Sequence, residues 1–198
     1  FKLMFFEFIR KLTIPFNQLI KYVPDHGKIL DVGCGHGTFS KMIAQSYPRT
    51  EVLGIDPSSY KINIAKSRNS PNLNYRHSYL KDIRDTFDCI VITDVLYLLP
   101  IEEKIKTLTA CYGLLNKGGS LIICELDNKQ NLMFWLSYLE ELIMVKLIKY
   151  TYSDMRRILF LSTKMYLKIL RNIEFKVITH KKIRAFLPYH RIMYIAKK

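Results

Sequence analysis

ILDVGCGHGTFS, residues 29–40, is the stretch on which the fold turns. A run of β-formers enters Asp31, and glycine then occupies positions 33, 35 and 37. Beyond them Phe39, Met42 and Ile43 fall at helical spacing, so the segment reads as strand, tight turn, helix. Glycine lets a turn tighten and lets a ligand approach bare backbone. The first turn of the helix offers N–H groups that no carbonyl of its own can satisfy. A loop of this kind at the carboxyl end of a strand is where an open α/β sheet holds its ligand.

The pattern continues outward. KILDVG (28–33) predicts the first strand, after a turn at PDHG (24–27), and a helix follows over 37–47. EVLGID (51–56) predicts a second strand, with a helix from Pro57 and Ser58 to about 68 that turns Ile62, Ile64 and Ala65 inward. NLNYR (72–76) and FDCIVITDV (87–95) predict strands three and four, the latter apolar enough for burial on both faces. A helix over 101–114 leads to strand five, SLIICEL (120–126). Helices near 130–149 and 163–171 precede two late strands, FKVITHKKI (175–183) and HRIMYIAK (190–197), whose short connection requires antiparallel pairing at a sheet edge. Apolar spacing in 1–23, broken at Pro15, predicts two short helices.

Alternating strands and helices define an α/β protein with right-handed crossovers. The expected architecture is a Rossmann-like, doubly wound, seven-stranded sheet, mostly parallel, with a C-terminal antiparallel β-hairpin and helical lids at the N-terminus and after strand five. One domain spans 1–198: an N-terminal helical lid (1–24), a cofactor-binding core (25–126), a helical cover (127–172) and the terminal hairpin (173–198).

Composition narrows the class further. With 49% hydrophobic residues among 198, the chain suits one globular unit. Its most apolar window, NLMFWLSYLEELIMVKLIKY (131–150), holds Glu140, Glu141, Lys146 and Lys149. Each charge costs roughly 3 kcal/mol at a bilayer centre, so the window reads as a buried or interfacial helix. Cysteines at 34, 89, 111 and 124 form no metal-binding or disulfide spacing, and no metal is expected. The net charge of +14 is uneven: residues 146–198 hold fourteen cations against Asp154 and Glu174. Such a region draws anionic partners: a membrane surface, an acyl-carrier protein or, ranked below these, nucleic acid. The expected setting is the cytoplasm, with peripheral contact at the inner membrane face.

The glycine spacing separates this loop from a dinucleotide fingerprint, which is G-x-G-x-x-G. Here it is G-x-G-x-G, and Asp31 stands two residues before the first glycine. A carboxylate there repels a pyrophosphate and attracts an ammonium group. Asp56 ends the second strand 23 residues after Gly33, where an acid grips ribose hydroxyls. A nucleoside joined to a cationic, amino-acid-like part satisfies both acids, and S-adenosylmethionine is such a molecule.

ILDVGCGHGTFS, VLGIDPS, FDCIVITDVLYLLP and LLNKGGSLIICE together resemble the motifs of the class I S-adenosylmethionine-dependent methyltransferases, over about 25–198. The resemblance implies S-adenosylmethionine as cofactor, held by Asp31, Gly33, Cys34, Gly35, Gly37, Asp56, Pro57, Ser58, Thr93 and Asp94. The family commonly places an aspartate on the adenine after strand three. Here YRHSYL (75–80) puts Ser78 and Tyr79 at that point, so the Ser78 hydroxyl, Tyr79 stacking, backbone near Leu80, or Asp82 takes the adenine.

Methyl transfer is an in-line displacement that positioning alone can accelerate strongly. Asp94, Tyr97 and Glu125, at the ends of strands four and five, are the catalytic candidates, with Asp127 beside them. The place after strand four reads TDVL rather than the N/D-P-P-Y of many amino-methyltransferases, and no appended RNA-binding module is visible. A small-molecule or lipid-like acceptor is therefore expected. An RNA acceptor, or a binding module that has lost catalysis, are the alternatives.

Overall fold

The computed structural model describes residues 10, 12–67, 70–126, 159–184 and 190–198, without the side chains of 177 and 190. Seven strands form one sheet: β1 His26–Val32, β2 Arg49–Asp56, β3 Leu73–His77, β4 Phe87–Thr93, β5 Leu115–Leu126, β6 Val177–Arg184 and β7 His190–Lys197. Their order is β3-β2-β1-β4-β5-β7-β6. The first five run parallel, and β7 is antiparallel to both β5 and β6. The expected Rossmann-like sheet and its closing hairpin are therefore present.

Boundaries moved most at β5, which begins at Leu115 rather than Ser120, and also at β4. β4 stops at Thr93 because Asp94 takes a positive φ of 54°, which ends the extended run two residues early. The two late strands pair antiparallel at one sheet edge, as expected; within the pair β7 lies inside and β6 outermost, which brings Arg191 opposite Leu126.

Helices cover both faces. α1 Phe16–Leu19, α2 Thr38–Ser46 and α3 Ser59–Lys66 pack on one side, where Phe16, Phe39 and Ile43 meet Ile29, Val52 and Val91. α4 Ile101–Leu114 and α5 Thr163–Asn172 pack on the other, where Leu108, Tyr166 and Leu170 meet Leu30, Ile90 and Tyr194. Each fully buried Ile or Leu contributes about 2 kcal/mol. In β4, Cys89 to Ile92 are fully buried, as a strand covered on both faces must be. Pro15 breaks the N-terminal helical run as expected, with Leu12 and Thr13 helical before it and α1 after it. In α3 only Ile62 and Ala65 are buried, and Ile64 stays half-exposed. The apolar stretch expected near 130–149 lies outside the described residues.

One side chain ties the far end of α2 to the sheet. Asn72 Nδ2 donates toward the carbonyls of Ala44 (3.1 Å), Tyr47 (3.3 Å) and Thr50 (2.9 Å). These groups run from the last turn of α2 through the connection at Tyr47 into the start of β2. Asn72→Ala should cost about 1–2 kcal/mol, read as a Tm lower by about 2–8 °C in thermal unfolding. An unchanged Tm would show that the turn does not depend on this amide.

Candidate functional site

The glycine loop is anchored to the neighbouring strand. The N–H groups of Gly33 and Cys34 both donate to the Ile55 carbonyl, at 2.8 and 3.0 Å. Gly33, Gly35 and Gly37 all have positive φ. At Gly37 a Cβ would sit 2.2 Å from the Tyr75 hydroxyl, which donates to the Gly37 carbonyl at 3.0 Å. At Gly35 the surroundings are open: among the described residues, only Arg10 Nη1 comes within 4 Å of a built Cβ, at 3.8 Å. Gly35 thus turns bare backbone to a space that a ligand can enter.

Two acids flank this space. Asp31, at 3% exposure, accepts a 2.6 Å hydrogen bond from the Ser40 hydroxyl on α2. Burial pushes its carboxyl up to about 6, against the pull of Ser40 and Arg10, and the neighbouring Asp56 adds to the rise. Asp56 is buried too. Its Oδ2 accepts from the Gly35 N–H at 3.0 Å and its Oδ1 from the Ser58 N–H at 2.8 Å. Each carboxylate oxygen keeps a further lone pair for an incoming hydroxyl. Ser58 also caps α3 by accepting from the Lys61 N–H at 3.3 Å. The cleft itself is lined by Arg10, Asp31, Gly33, Cys34, Thr38 and Thr93, with Phe16, His36 and Phe39 around them.

The ends of β4 and β5 hold a buried charged cluster. Asp94 pairs with the Arg191 guanidinium, and Arg191 Nε donates to the Thr13 carbonyl at 2.6 Å. Arg191 thereby joins β7, the β4 end and the N-terminal segment. Glu125, 2% exposed, accepts from the N–H groups of Leu96 (2.9 Å) and Val95 (3.3 Å) through Oε1. Its Oε2 has no hydrogen-bond partner among the described residues. Burial, with Asp94 adding, pushes this carboxyl up to about 8. Lys104, itself fully buried, donates to the carbonyls of Leu99 (2.5 Å) and Leu159 (2.9 Å). Desolvation pushes its amine down to about 8, while Glu125 holds it up.

The structure gathers some of the residues expected from sequence and disperses others. Asp31, Gly33, Cys34, Gly35, Gly37, Asp56, Ser58 and Thr93 surround or support one cleft. Pro57 presents its carbonyl to His77 Nε2 at 3.0 Å. The Ser78 N–H donates to the Asp56 carbonyl at 3.3 Å, which sets it on the cofactor side of β3. Tyr79 is 55% exposed, with Lys81 Nζ 5.5 Å from its ring centroid, and Asp82 is exposed in the next turn. Neither lines the cleft. Asp94 and Glu125 adjoin each other's electrostatic field. Tyr97 is buried in a stack on Phe160, with centroids 5.1 Å apart, so its ring is packed rather than presented. Asp127 lies outside the described residues. Sequence reasoning missed Arg10, Ser40, Lys104 and Arg191. Ser40 was within reach, nine positions past Asp31 at the end of the same motif. Arg191 carries no local signal, since 97 residues separate it from Asp94.

A nucleotide-type cleft at the end of β1, with acids closing β1 and β2, defines a Rossmann-like cofactor site. Residues 29–119 match the family model described as "Methyltransferase domain". Trans-aconitate 2-methyltransferase of Deinococcus radiodurans is 26% identical over 113 residues, covering 56% of this chain and 43% of that protein. Ubiquinone biosynthesis O-methyltransferase of Haemophilus ducreyi is 28% identical over 111 residues, covering 50% of this chain and 45% of that protein. A SAM-dependent methyltransferase structure from Archaeoglobus fulgidus superposes with a TM-score of 0.75 at 16% identity, covering 98% of this chain and 99% of that one. Residues 29–119 thus match a methyltransferase domain, and the chain shares its fold with S-adenosylmethionine-dependent methyltransferase structures. It spans less than half the length of these two curated relatives.

The buried acid of the cluster has a pH signature. A carboxyl whose folded pKa is about 8 and whose unfolded value is about 4.3 favours the fold most below the unfolded value, and loses that contribution as pH rises through 8. Glu125→Gln retains an acceptor for Leu96 and cannot ionise. Its Tm relative to the parent protein should therefore climb between about pH 5 and 8 and flatten above. A difference that stays constant with pH would mean that Glu125 is ionised throughout.

Proposed function

We propose that this chain carries a methyl group from S-adenosylmethionine to a small-molecule or lipid-like acceptor. The methyltransferase domain supports the reaction type, and the observation that carries the cofactor assignment is the cleft. Buried Asp31 lines it, and buried Asp56 holds the N–H of Gly35, whose side-chain direction is open. That set fits S-adenosylmethionine, whose adenosine needs a hydroxyl acceptor and whose methionine end needs an anion and a cation. When bound, the cofactor supplies a methyl group on a positively charged sulfur.

The chain's own residues then divide the work. Asp56 takes ribose hydroxyls with the lone pairs left over from the Gly35 and Ser58 N–H groups. Asp31, steadied by Ser40, answers the ammonium group, and Arg10 answers the carboxylate across the same cleft. Asp94, clamped by Arg191, and Glu125, which holds the Val95 and Leu96 N–H groups, fix the loop that borders the acceptor side. Glu125 is neutral below about pH 8, so it serves there as a donor or an orienting group rather than as a base. Tyr97 braces the same loop through its stack on Phe160.

The acceptor class rests on chemistry and likeness together. A small acid and a lipid quinone appear in the names of two relatives. The motif after β4 differs from that of many base- and amide-directed enzymes.

Calorimetry with S-adenosylmethionine tests the cofactor assignment. Asp56→Ala and Gly35→Val should each abolish measurable binding while circular dichroism stays that of a folded protein. Valine at Gly35 would both fill the open space and occupy a left-handed backbone that β-branched residues reject. Normal binding by either variant would place the cofactor elsewhere. The dependence on pH follows from Asp31. An ammonium ligand prefers its charged form, so affinity should be full above about pH 6 and weaken as pH falls below it. An affinity unchanged from pH 7.5 to 5 would remove Asp31 from the binding reaction. Labelled cofactor incubated with fractionated lipid, RNA, protein and small-molecule extracts then identifies the acceptor class.

A further inference from the structure

The basic character seen in the C-terminal sequence becomes directional in the fold. On α5, Lys164, Lys168 and Arg171 follow at i, i+4 and i+7, which places them on one stripe. All three are exposed, while Tyr166 and Leu170 on the opposite side are buried against the sheet. α5 contains no acidic residue, and neither does β6. Along β6 the side chains alternate, and Ile178 belongs to the core beneath α5. His180, Lys182 and Arg184 therefore leave the strand on the side that faces α5, and all are exposed. Among the described residues from 159 onward, Glu174 is the only acid against ten lysines and arginines.

Two further features decide what this surface meets. Met165 is 45% exposed on α5 and Leu159 is 38% exposed just before it, so apolar side chains stand beside the cations. The large exposed aromatics among the described residues, Tyr60 and Tyr79, lie on α3 and after β3. Among the described residues, the α5–β6 face thus presents no exposed Phe, Tyr or Trp ring of the kind on which nucleic-acid bases stack. Cations with apolar side chains among them are what an anionic bilayer surface attracts, through headgroup charge and shallow apolar contact. The same helix begins three residues after Phe160, the ring stacked on Tyr97 beside the acceptor-side loop. A surface so placed brings that side of the enzyme to the lipid phase.

We propose that α5 and β6 form a docking face for anionic lipid membranes, from which a lipid-like acceptor reaches the site. The second clause rests on the proposed function, whereas the docking face does not. The test is sedimentation of the full chain with vesicles of phosphatidylcholine alone, or with a third of phosphatidylglycerol, at low and high salt. Binding should require the anionic lipid and fall with salt. Combining Lys164→Gln, Lys168→Gln and Arg171→Gln should weaken it on the order of 100-fold, at about fivefold per charge. Lys28→Gln with Lys66→Gln, exposed charges on other elements, should leave it unchanged.

Equal binding to neutral vesicles, indifference to the triple substitution, or binding only to an RNA oligomer or an acidic protein would overturn the proposal. Calorimetry with S-adenosylmethionine on the same preparations separates the two readings. A protein that binds the cofactor and ignores vesicles defeats the docking face alone. One that binds vesicles and not the cofactor defeats the proposed function alone.

Discussion

The Ile55 carbonyl at the end of β2 accepts the N–H groups of both Gly33 and Cys34, and the rest of the site depends on that junction. Two donors on one acceptor pull the glycine loop across from β1 to its neighbour. The next residue of β2, Asp56, then catches the Gly35 N–H and completes the crossing. With the loop held, α2 starts in a defined place, Ser40 reaches back to Asp31, and the open side of Gly35 faces the cleft. A parallel sheet makes this possible, because β1 and β2 end side by side and deliver their acids to the same edge.

Two neighbouring regions have different physics. The glycine loop is built from backbone groups and two carboxylates, linked over 22 residues or fewer. The cluster at the ends of β4 and β5 is built from ionisable side chains withdrawn from water: Asp94 with Arg191, and Glu125 near Lys104. Charges so buried are kept only when partners compensate their lost hydration. Asp94 and Arg191 satisfy that by direct pairing. Glu125 meets it differently, by holding its proton to unusually high pH while its other oxygen anchors two backbone N–H groups.

Local pattern made most of the fold legible. Period and turn chemistry located all seven strands, because a strand buried on two faces and a glycine turn leave signals within ten residues. The glycine loop was legible for the same reason: Asp31, the three glycines and Asp56 sit in short motifs that the sheet brings together at one edge. What escaped was non-local. Nothing near Arg191 announces that it pairs with Asp94, and nothing near Arg10 places it over Gly35. The order within the terminal pair, β7 inside and β6 outermost, was likewise not given by a pairing rule that considers only neighbouring strands. Tyr97 has a contact that its neighbourhood in sequence does not announce. A tyrosine at the end of a buried strand suggests chemistry, yet its ring has a packing partner in Phe160, 63 positions on, that no short window contains.

β7 also sets an order of closure. The glycine loop draws on β1, β2 and α2, which lie within residues 26–56. Asp94 waits for Arg191, which comes 97 positions further along and closes on the Thr13 carbonyl as well. During synthesis the nascent chain therefore passes through an interval in which the elements of the glycine loop are present and Asp94 has not yet met Arg191. β7 acts as a clasp between the end of β4 and the N-terminal segment.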